Sequence, residues 1–361
     1  MKVLVVRPDG LGDVLLTGPA VRAVAASGAE VTFLAGPGGS GAAALLPGVH
    51  RVLEWRAPWI DPEPGPFDPG SVRSLAGQIG RLGPDATVVF TSFHQSALPT
   101  ALVLRMAGVQ RIAAISEDYP GALLDVRQPP AEDIPEAERN LALVRAAGFE
   151  LLPGDAGRLA VTADLPDPRK LTGGGRYLVV HASASVPARS PSAAKTAAIA
   201  AALAAAGHRV VVTGSAAESA ATAAVCAAAT AFSQAAAAVG RVSPGGPGSL
   251  VDLGGRTSLP QLAAVLAGAE VVVAPNTGAA HLAAAVGTPV VSLFAPVVPA
   301  ARWAPYGVPH RVLGRQDAAC AGTRARVCPV RGHPCLDTIE PTDVVAAVEE
   351  LAARAPAGVS A

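Results

Sequence analysis

Short runs of β-branched residues alternate with Ala/Leu-rich stretches of helical length, and the alternation passes through the chain twice. A parallel sheet covered by helices on both faces is written this way, because its strands are buried on both sides and read as continuous apolar runs. In the first pass, strands are expected at Val3–Val6, Val31–Leu34, Val52–Trp55, Thr87–Thr91 and Arg111–Ile115. Helices are expected at Asp13–Ala26, Val72–Leu82, Ser96–Ala107 and Glu136–Ala147, each closing near a glycine, as helix C-termini commonly do.

Leu151 to Arg176 is rich in Pro, Gly and Asp and lacks periodicity, so the linker is placed there. Strands then resume at Tyr177–His181, Arg209–Thr213, Glu270–Ala274 and Pro289–Phe294, interleaved with helices at Ala193–Ala206, Ala216–Ala229, Leu259–Ala267 and Gly278–Val286. Thr230 to Gly248 is expected to hold a helix end and a loop. Pro341 opens a last helix whose apolar stripe is Val344, Val345, Val348 and Leu351. A chain of 361 residues exceeds what one core usually organises. The expectation is an α/β protein of two tandem doubly wound Rossmann-like domains, residues 1–165 and 166–361, with an interdomain cleft. Such sheets bind ligands outside the carboxyl ends of their strands, so function belongs in the loops that follow strands.

Lys and Arg together number 28, as do Asp and Glu, so no global field draws the chain to nucleic acid or to an anionic bilayer. At most, peripheral membrane contact is expected. The apolar run at the N-terminus stops at Arg7-Pro8-Asp9, too short for a signal peptide. The Ala-rich tract from Ala216 to Ala238 is interrupted by Glu218, Ser219, Thr222, Ser233 and Gln234, so a cytoplasmic protein is expected. Cys320, Cys328, His333 and Cys335 lack the short Cys-x-x-Cys spacing of zinc ribbons, so the cysteines read as reduced, packed thiols and no metal is expected, with structural zinc as the other reading.

Four strand-to-helix turns carry polar chemistry. In Arg7-Pro8-Asp9-Gly10-Leu11-Gly12-Asp13 the glycines permit a tight turn, while the third glycine of a dinucleotide fingerprint and the Lys of a P-loop are missing. Asp13 is then either a helix N-cap or a carboxylate mounted as a base, with Gly12 beside it. Asn276-Thr277-Gly278-Ala279-Ala280-His281 follows a buried strand, where exposed amides at a helix start favour an anion such as diphosphate. Thr277 and His281 share a helix face. Ser183, Ser185 and Arg189, after the strand Tyr177–His181, suit phosphate oxygens. Glu218, after Arg209–Thr213, either accepts ribose hydroxyls or supplies first-turn helix charge. On the acceptor side, His94 and Gln95 follow the strand Thr87–Thr91, with ordinary capping as the other reading.

Taken together, Asp9-Gly10-Leu11-Gly12-Asp13, Asn276-Thr277-Gly278-Ala279-Ala280-His281, Gly287-Thr288-Pro289 and the Cys328-Pro329 and His333-Pro334-Cys335-Leu336 tail resemble glycosyltransferase family 9, the heptosyltransferase-like enzymes. The resemblance implies a GT-B fold and an inverting, metal-independent transfer from a nucleotide-diphosphate sugar, the donor being a substrate and no cofactor being required. It also implies donor binding in the C-terminal domain, acceptor binding in the N-terminal domain, an ADP-linked heptose or related donor, and a glycan or glycolipid acceptor of the cell envelope, as in lipopolysaccharide biosynthesis. Two departures stand out: Asn276 occupies the place of the family's usual Asp, and Arg189-Ser190-Pro191-Ser192 lacks the usual Trp-Pro. A nucleotide-sugar epimerase and a non-catalytic nucleotide-sugar-binding protein share this architecture and stay open from sequence alone.

Overall fold

The computed structural model describes residues 1–61, 63–130, 133–238 and 249–354. Two compact units divide the chain, Met1–Thr162 and Ala163–Ala361.

The first unit is a six-stranded sheet built from β1 (Lys2–Arg7), β2 (Glu30–Ala35), β3 (Val49–Glu54), β4 (Ala86–Val89), β5 (Ile112–Ile115) and β6 (Val126–Gln128). All pairings are parallel and the order is β3-β2-β1-β4-β5-β6. Central β1 is apolar on both faces from Val3 to Val6, as a strand covered by helices on both sides must be. Leu4, Val6 and Val89 pack against Leu75 and Ile79 of helix Pro69–Leu82 and Leu104 of helix Leu98–Met106. The helix Pro69–Leu82 starts where Asp68 accepts from the amides of Gly70 and Ser71 at 2.7 and 3.1 Å, and it stops at Gly83, whose φ of 60° favours a residue without Cβ.

The second unit repeats the plan with β7 (Leu178–His181), β8 (Val210–Thr213), β9 (Leu250–Asp252), β10 (Val272–Pro275), β11 (Val290–Leu293) and β12 (His310–Leu313). The order β12-β11-β10-β7-β8-β9 is again wholly parallel. Val344, Val348 and Leu351 of helix Pro341–Arg354 join Leu203 of helix Ala193–Ala205 in its core.

Three strands escape the sequence reading: β6, β9 and β12. Each lies at a sheet edge, where one flank is unpaired and the apolar run shortens to a few residues mixed with charge. The helix expected over Asp13–Ala26 is two helices, Leu11–Leu15 and Gly18–Ala26. Pro19 is the cause, since it has no amide hydrogen to donate and its ring crowds the carbonyl four residues earlier. The Ala-rich helix runs Ser219–Ala238, longer than expected; the rest of the anticipated loop, 239–248, lies outside the described residues, as do the last residues of the expected C-terminal domain.

Candidate active site

In each sheet the strand order reverses between two central neighbours, β1 and β4 in the first unit and β7 and β10 in the second. Loops leaving the carboxyl ends of such a pair splay to opposite faces and open a crevice. The residues singled out from sequence follow these strands, with Glu218 one strand further along, after β8.

In the first unit Gly10, not Asp13, is the N-cap of helix Leu11–Leu15, and Asp13 is its third residue. The capping reading of Asp13 therefore lapses. Its carboxylate Oδ1 accepts from Nη2 of Arg7 at 2.9 Å, and its side chain keeps 28% exposure. Arg7, the last residue of β1, is fully buried. Its Nη2 also donates to Ser92 Oγ at 2.9 Å, its Nε approaches Asp9 Oδ2 at 2.6 Å as an ion pair too bent to be a hydrogen bond, and Glu136 Oε2 lies 3.9 Å from Nη1. Burial pushes the Asp9 carboxyl up to about 6, against the opposing charge of Arg7.

Gln95 closes this arrangement. Its Nε2 donates to Asp9 Oδ1 at 2.6 Å, and its Oε1 accepts from the Ser92 amide at 2.9 Å. Neither His94 nor Gln95 caps the next helix, whose N-cap is Ala97. Both line an open cavity at the ends of β4 and β5, together with Phe93, Ser116, Glu117 and Arg139. Phe93 meets His94 edge-on, with ring centroids 5.3 Å apart. Gly12 is the second residue of helix Leu11–Leu15, one before Asp13, and is partly exposed.

Sequence reasoning missed the layer beneath. Glu136, Arg139 and Asn140 are buried on the first turns of helix Glu136–Ala146. Arg139 Nη1 donates to Thr91 O at 2.6 Å and pairs with Glu136 at 3.3 Å, while Asn140 Nδ2 donates to Leu16 O at 3.1 Å, at the break between the first two helices. Polar residues at spacings of three and four read as a solvated helix face, so nothing in the sequence flagged them.

In the second unit, the Ser183 hydroxyl donates to Glu218 Oε1, and Glu218 Oε2 accepts from the Ser215 amide at 2.7 Å in a capping box. The loops after β7 and β8 are thereby tied together, and the first-turn reading of Glu218 describes its present contacts. Partial burial alone would raise the Glu218 carboxyl, but the Ser183 and Ser215 donors hold it below the usual range. His181, at the end of β7, shares a hydrogen bond of 3.0 Å with Thr213 Oγ1, and burial keeps its imidazole less basic than usual. Ser185 is exposed, and Arg189 ends a short 3-10 turn, Pro187–Arg189. Ser190 Oγ accepts from the Ala184 amide at 2.7 Å and so shapes the loop between them. Where the family's Trp-Pro is missing, Ser192 caps the next helix by accepting from the Lys195 amide at 3.2 Å.

After β10, Asn276 is buried, and its Nδ2 has no hydrogen-bond partner among the described residues. Thr277 is the N-cap of helix Gly278–Ala285 through its backbone, with no side-chain cap bond, so the amides there are not consumed by the Thr277 hydroxyl. His281 lies one turn on and is buried.

The cysteines behave as packed thiols: Cys320 and Cys335 are buried, Cys335 pushed up to about 12 by burial and its neighbouring thiols. Among the described residues no group of three or more His, Cys, Asp or Glu is placed to hold a metal ion, and no helix is long and apolar enough to cross a membrane.

Similar folds occur in several solved structures. E. coli ADP-heptose lps heptosyltransferase II matches with a TM-score of 0.71 and 20% identity, covering 98% of this chain and 99% of the other. A family 9 glycosyl transferase of Veillonella parvula matches at 0.70 and 14% identity over 98% and 97%. E. coli heptosyltransferase WaaC, solved with ADP-2-deoxy-2-fluoro heptose, matches at 0.68 and 20% over 97% and 99%. At these identities the likeness establishes the fold, two Rossmann-like domains of GT-B type. No functionally curated protein matches the sequence. The profile of glycosyltransferase family 9 (heptosyltransferase) matches residues 85–333, well over half the chain, and the chain therefore belongs to that family of glycosyltransferases.

Proposed function

We propose that this enzyme transfers heptose or a related sugar from an ADP-linked donor to a hydroxyl of a cell-envelope glycan or glycolipid, inverting the anomeric centre without a metal. The observation that carries this reading is the Asp13 carboxylate, partly exposed at the switch point of the first sheet and held by Arg7, whose other partner Asp9 is bound by the cavity-lining Gln95. The relatives solved with ADP or an ADP-heptose analogue support the choice of nucleotide.

In this mechanism Asp13 takes the proton of the acceptor hydroxyl as that oxygen forms its bond to the anomeric carbon. The bond from that carbon to the diphosphate oxygen breaks, and the electron pair leaves with the diphosphate. A single displacement inverts the centre. The departing charge is met by Arg189, by the Ser183 and Ser185 hydroxyls, and by the amides of Thr277 and Gly278 at the start of helix Gly278–Ala285. Glu218 would exchange its present Ser183 contact for the ribose, and Asn276 and His281 would face the diphosphate or the sugar.

A thermal-shift screen over ADP-, GDP-, UDP- and dTDP-sugars tests the donor, since a ligand of the folded form alone raises the melting temperature. The ADP compounds are expected to lead. Asp13→Asn is expected to bind the donor normally and to lose turnover by roughly 10³-fold, within the range of general-base loss; near-normal turnover would end its assignment as base. Conversion of the donor with no acceptor present, yielding an altered sugar nucleotide, would favour an epimerase instead.

A further inference from the structure

Arg7 is out of solvent altogether, although it carries a charge and ends the central strand of its sheet. A buried ionic set is commonly no better for the fold than apolar side chains of similar size in place of all of it, so stability alone does not account for building one here. What a guanidinium adds is a planar fork of donors in fixed directions, which neither a methionine nor a lysine supplies. One prong reaches Asp13 and Ser92, the Nε edge faces Asp9, and Nη1 faces Glu136.

The fork is itself held from behind. Gln95 donates to Asp9 at 2.6 Å, Arg139 pairs with Glu136 at 3.3 Å, and Arg139 is tied to the loop that leaves β4 through Thr91 O at 2.6 Å. Along this series the side-chain exposure is 1% at Arg7, 8% at Asp9 and 0% at Glu136, rising to 28% only at Asp13. The frame is buried and one carboxylate emerges from it. Gln95, at the other end, also lines the cavity at the ends of β4 and β5.

We infer that Arg7 is the positioning residue of the reaction: its Nη2 fixes the direction of the Asp13 carboxylate, and the chain Gln95–Asp9–Arg7–Asp13 sets the base and the wall of the acceptor cavity in one frame. This rests on Asp13 being the base. Arg7 does not touch substrate; it acts through the carboxylate it holds.

The test uses full-length Arg7→Met, Arg7→Lys and Asp13→Asn proteins, their crystal structures, and ADP release from ADP-heptose with water as the acceptor. In Arg7→Met the Asp13 carboxylate is expected to leave its place by about 1 Å or more, with kcat down about 100-fold, the loss such a misplacement causes. The donor KM should stay within about twofold, because the donor is assigned to the other unit. Arg7→Lys, which keeps the charge and loses the fork, should recover only part of kcat. Removing one member of a buried ionic set lowers the melting temperature in either case; a merely structural role would move KM together with kcat, whereas the positioning role leaves the donor KM in place. An Asp13 carboxylate unmoved in Arg7→Met, or kcat at the wild-type level, overturns the positioning role. Should Arg7→Met not fold, Arg7→Lys decides on the same two readings. Normal turnover by Asp13→Asn would instead remove the base assignment, whatever Arg7 does, and the crystal structures judge the geometry even if ADP-heptose is not turned over.

Discussion

Asp9 lies almost wholly out of solvent, and burial is the largest influence on its carboxyl, raising it to about 6 while Arg7 pulls the other way and Asp13 adds to the rise. In the unfolded chain an aspartate titrates near its ordinary value of about 3.9. Between about pH 4 and pH 6 the native protein therefore holds a proton that the unfolded chain has released. Stability from this group is greatest below that window and falls as the pH rises through it, by about 3 kcal/mol. This is the reverse of an aspartate whose native partner lowers its pKa. Asp9→Asn, which is neutral throughout, should lose that slope. Urea unfolding at pH 4, 5, 6 and 7 measures it, and an unchanged slope in the variant would assign the titration to another group. Residues such as Asp9 and Arg7 show where single-sequence reading stops. The chain Arg7-Pro8-Asp9-Gly10 announces a polar turn after a strand, but the partners that bury it come from Ser92, Gln95 and Glu136, far along the chain. From sequence Asp13 reads as either a cap or a base, and the structure removes the cap, since Gly10 takes that place; Arg7 was not singled out, because a charged strand terminus ordinarily points into water.

At the scale of elements, the loop holding Asp13 depends on a second loop, the one that leaves β2. A Cβ on Gly36 would overlap the carbonyl oxygen of Pro8, and one on Gly39 would stand 2.7 Å from Asp9 O and 2.6 Å from Val14 Cγ2. Backbone lies against backbone here, so a methyl group has nowhere to go without moving the turn that carries Asp9 and Asp13. Gly36→Ala is expected to cost about 1–3 kcal/mol, the range for overpacking. It should also lower turnover while leaving donor affinity intact. Gly65→Ala is the control, as nothing lies within 4 Å of its Cβ position, and equal melting temperatures for the two variants would mean that the loops part more easily than their contact suggests. Most central strands and long helices were readable, because burial on both faces writes itself as an unbroken apolar run. The edge strands β6, β9 and β12 were not, nor was the helix break at Pro19. An edge strand is fixed by its neighbour's hydrogen bonds more than by its own composition, and a single-sequence pattern contains no trace of the neighbour.

At the scale of the whole molecule, two sheets of identical strand order offer two switch points, and the chain has furnished them differently. The first carries a compact ionic frame ending in a carboxylate; the second carries hydroxyl groups, Arg189 and the start of helix Gly278–Ala285, with no acidic residue in the turn after β10 because Asn276 stands there. A nucleoside diphosphate, strongly anionic and rich in acceptor oxygens, is repelled by the first set and matched by the second. Adding ADP should therefore slow amide hydrogen exchange in the second unit, over residues 182–190, 214–218 and 276–281, and leave residues 9–13 and 92–96 nearly unchanged. At a concentration 100 times its Kd, the nucleotide should also stabilise the unit that binds it by about 3 kcal/mol. The comparison separates local contact from general tightening, since a ligand that merely stabilised the fold would slow exchange in the cores of β7 and β10 without favouring their loops. Protection centred on residues 9–13 and 92–96 would reverse the division of labour between the units, and with it the assignment of Asp13 to the acceptor.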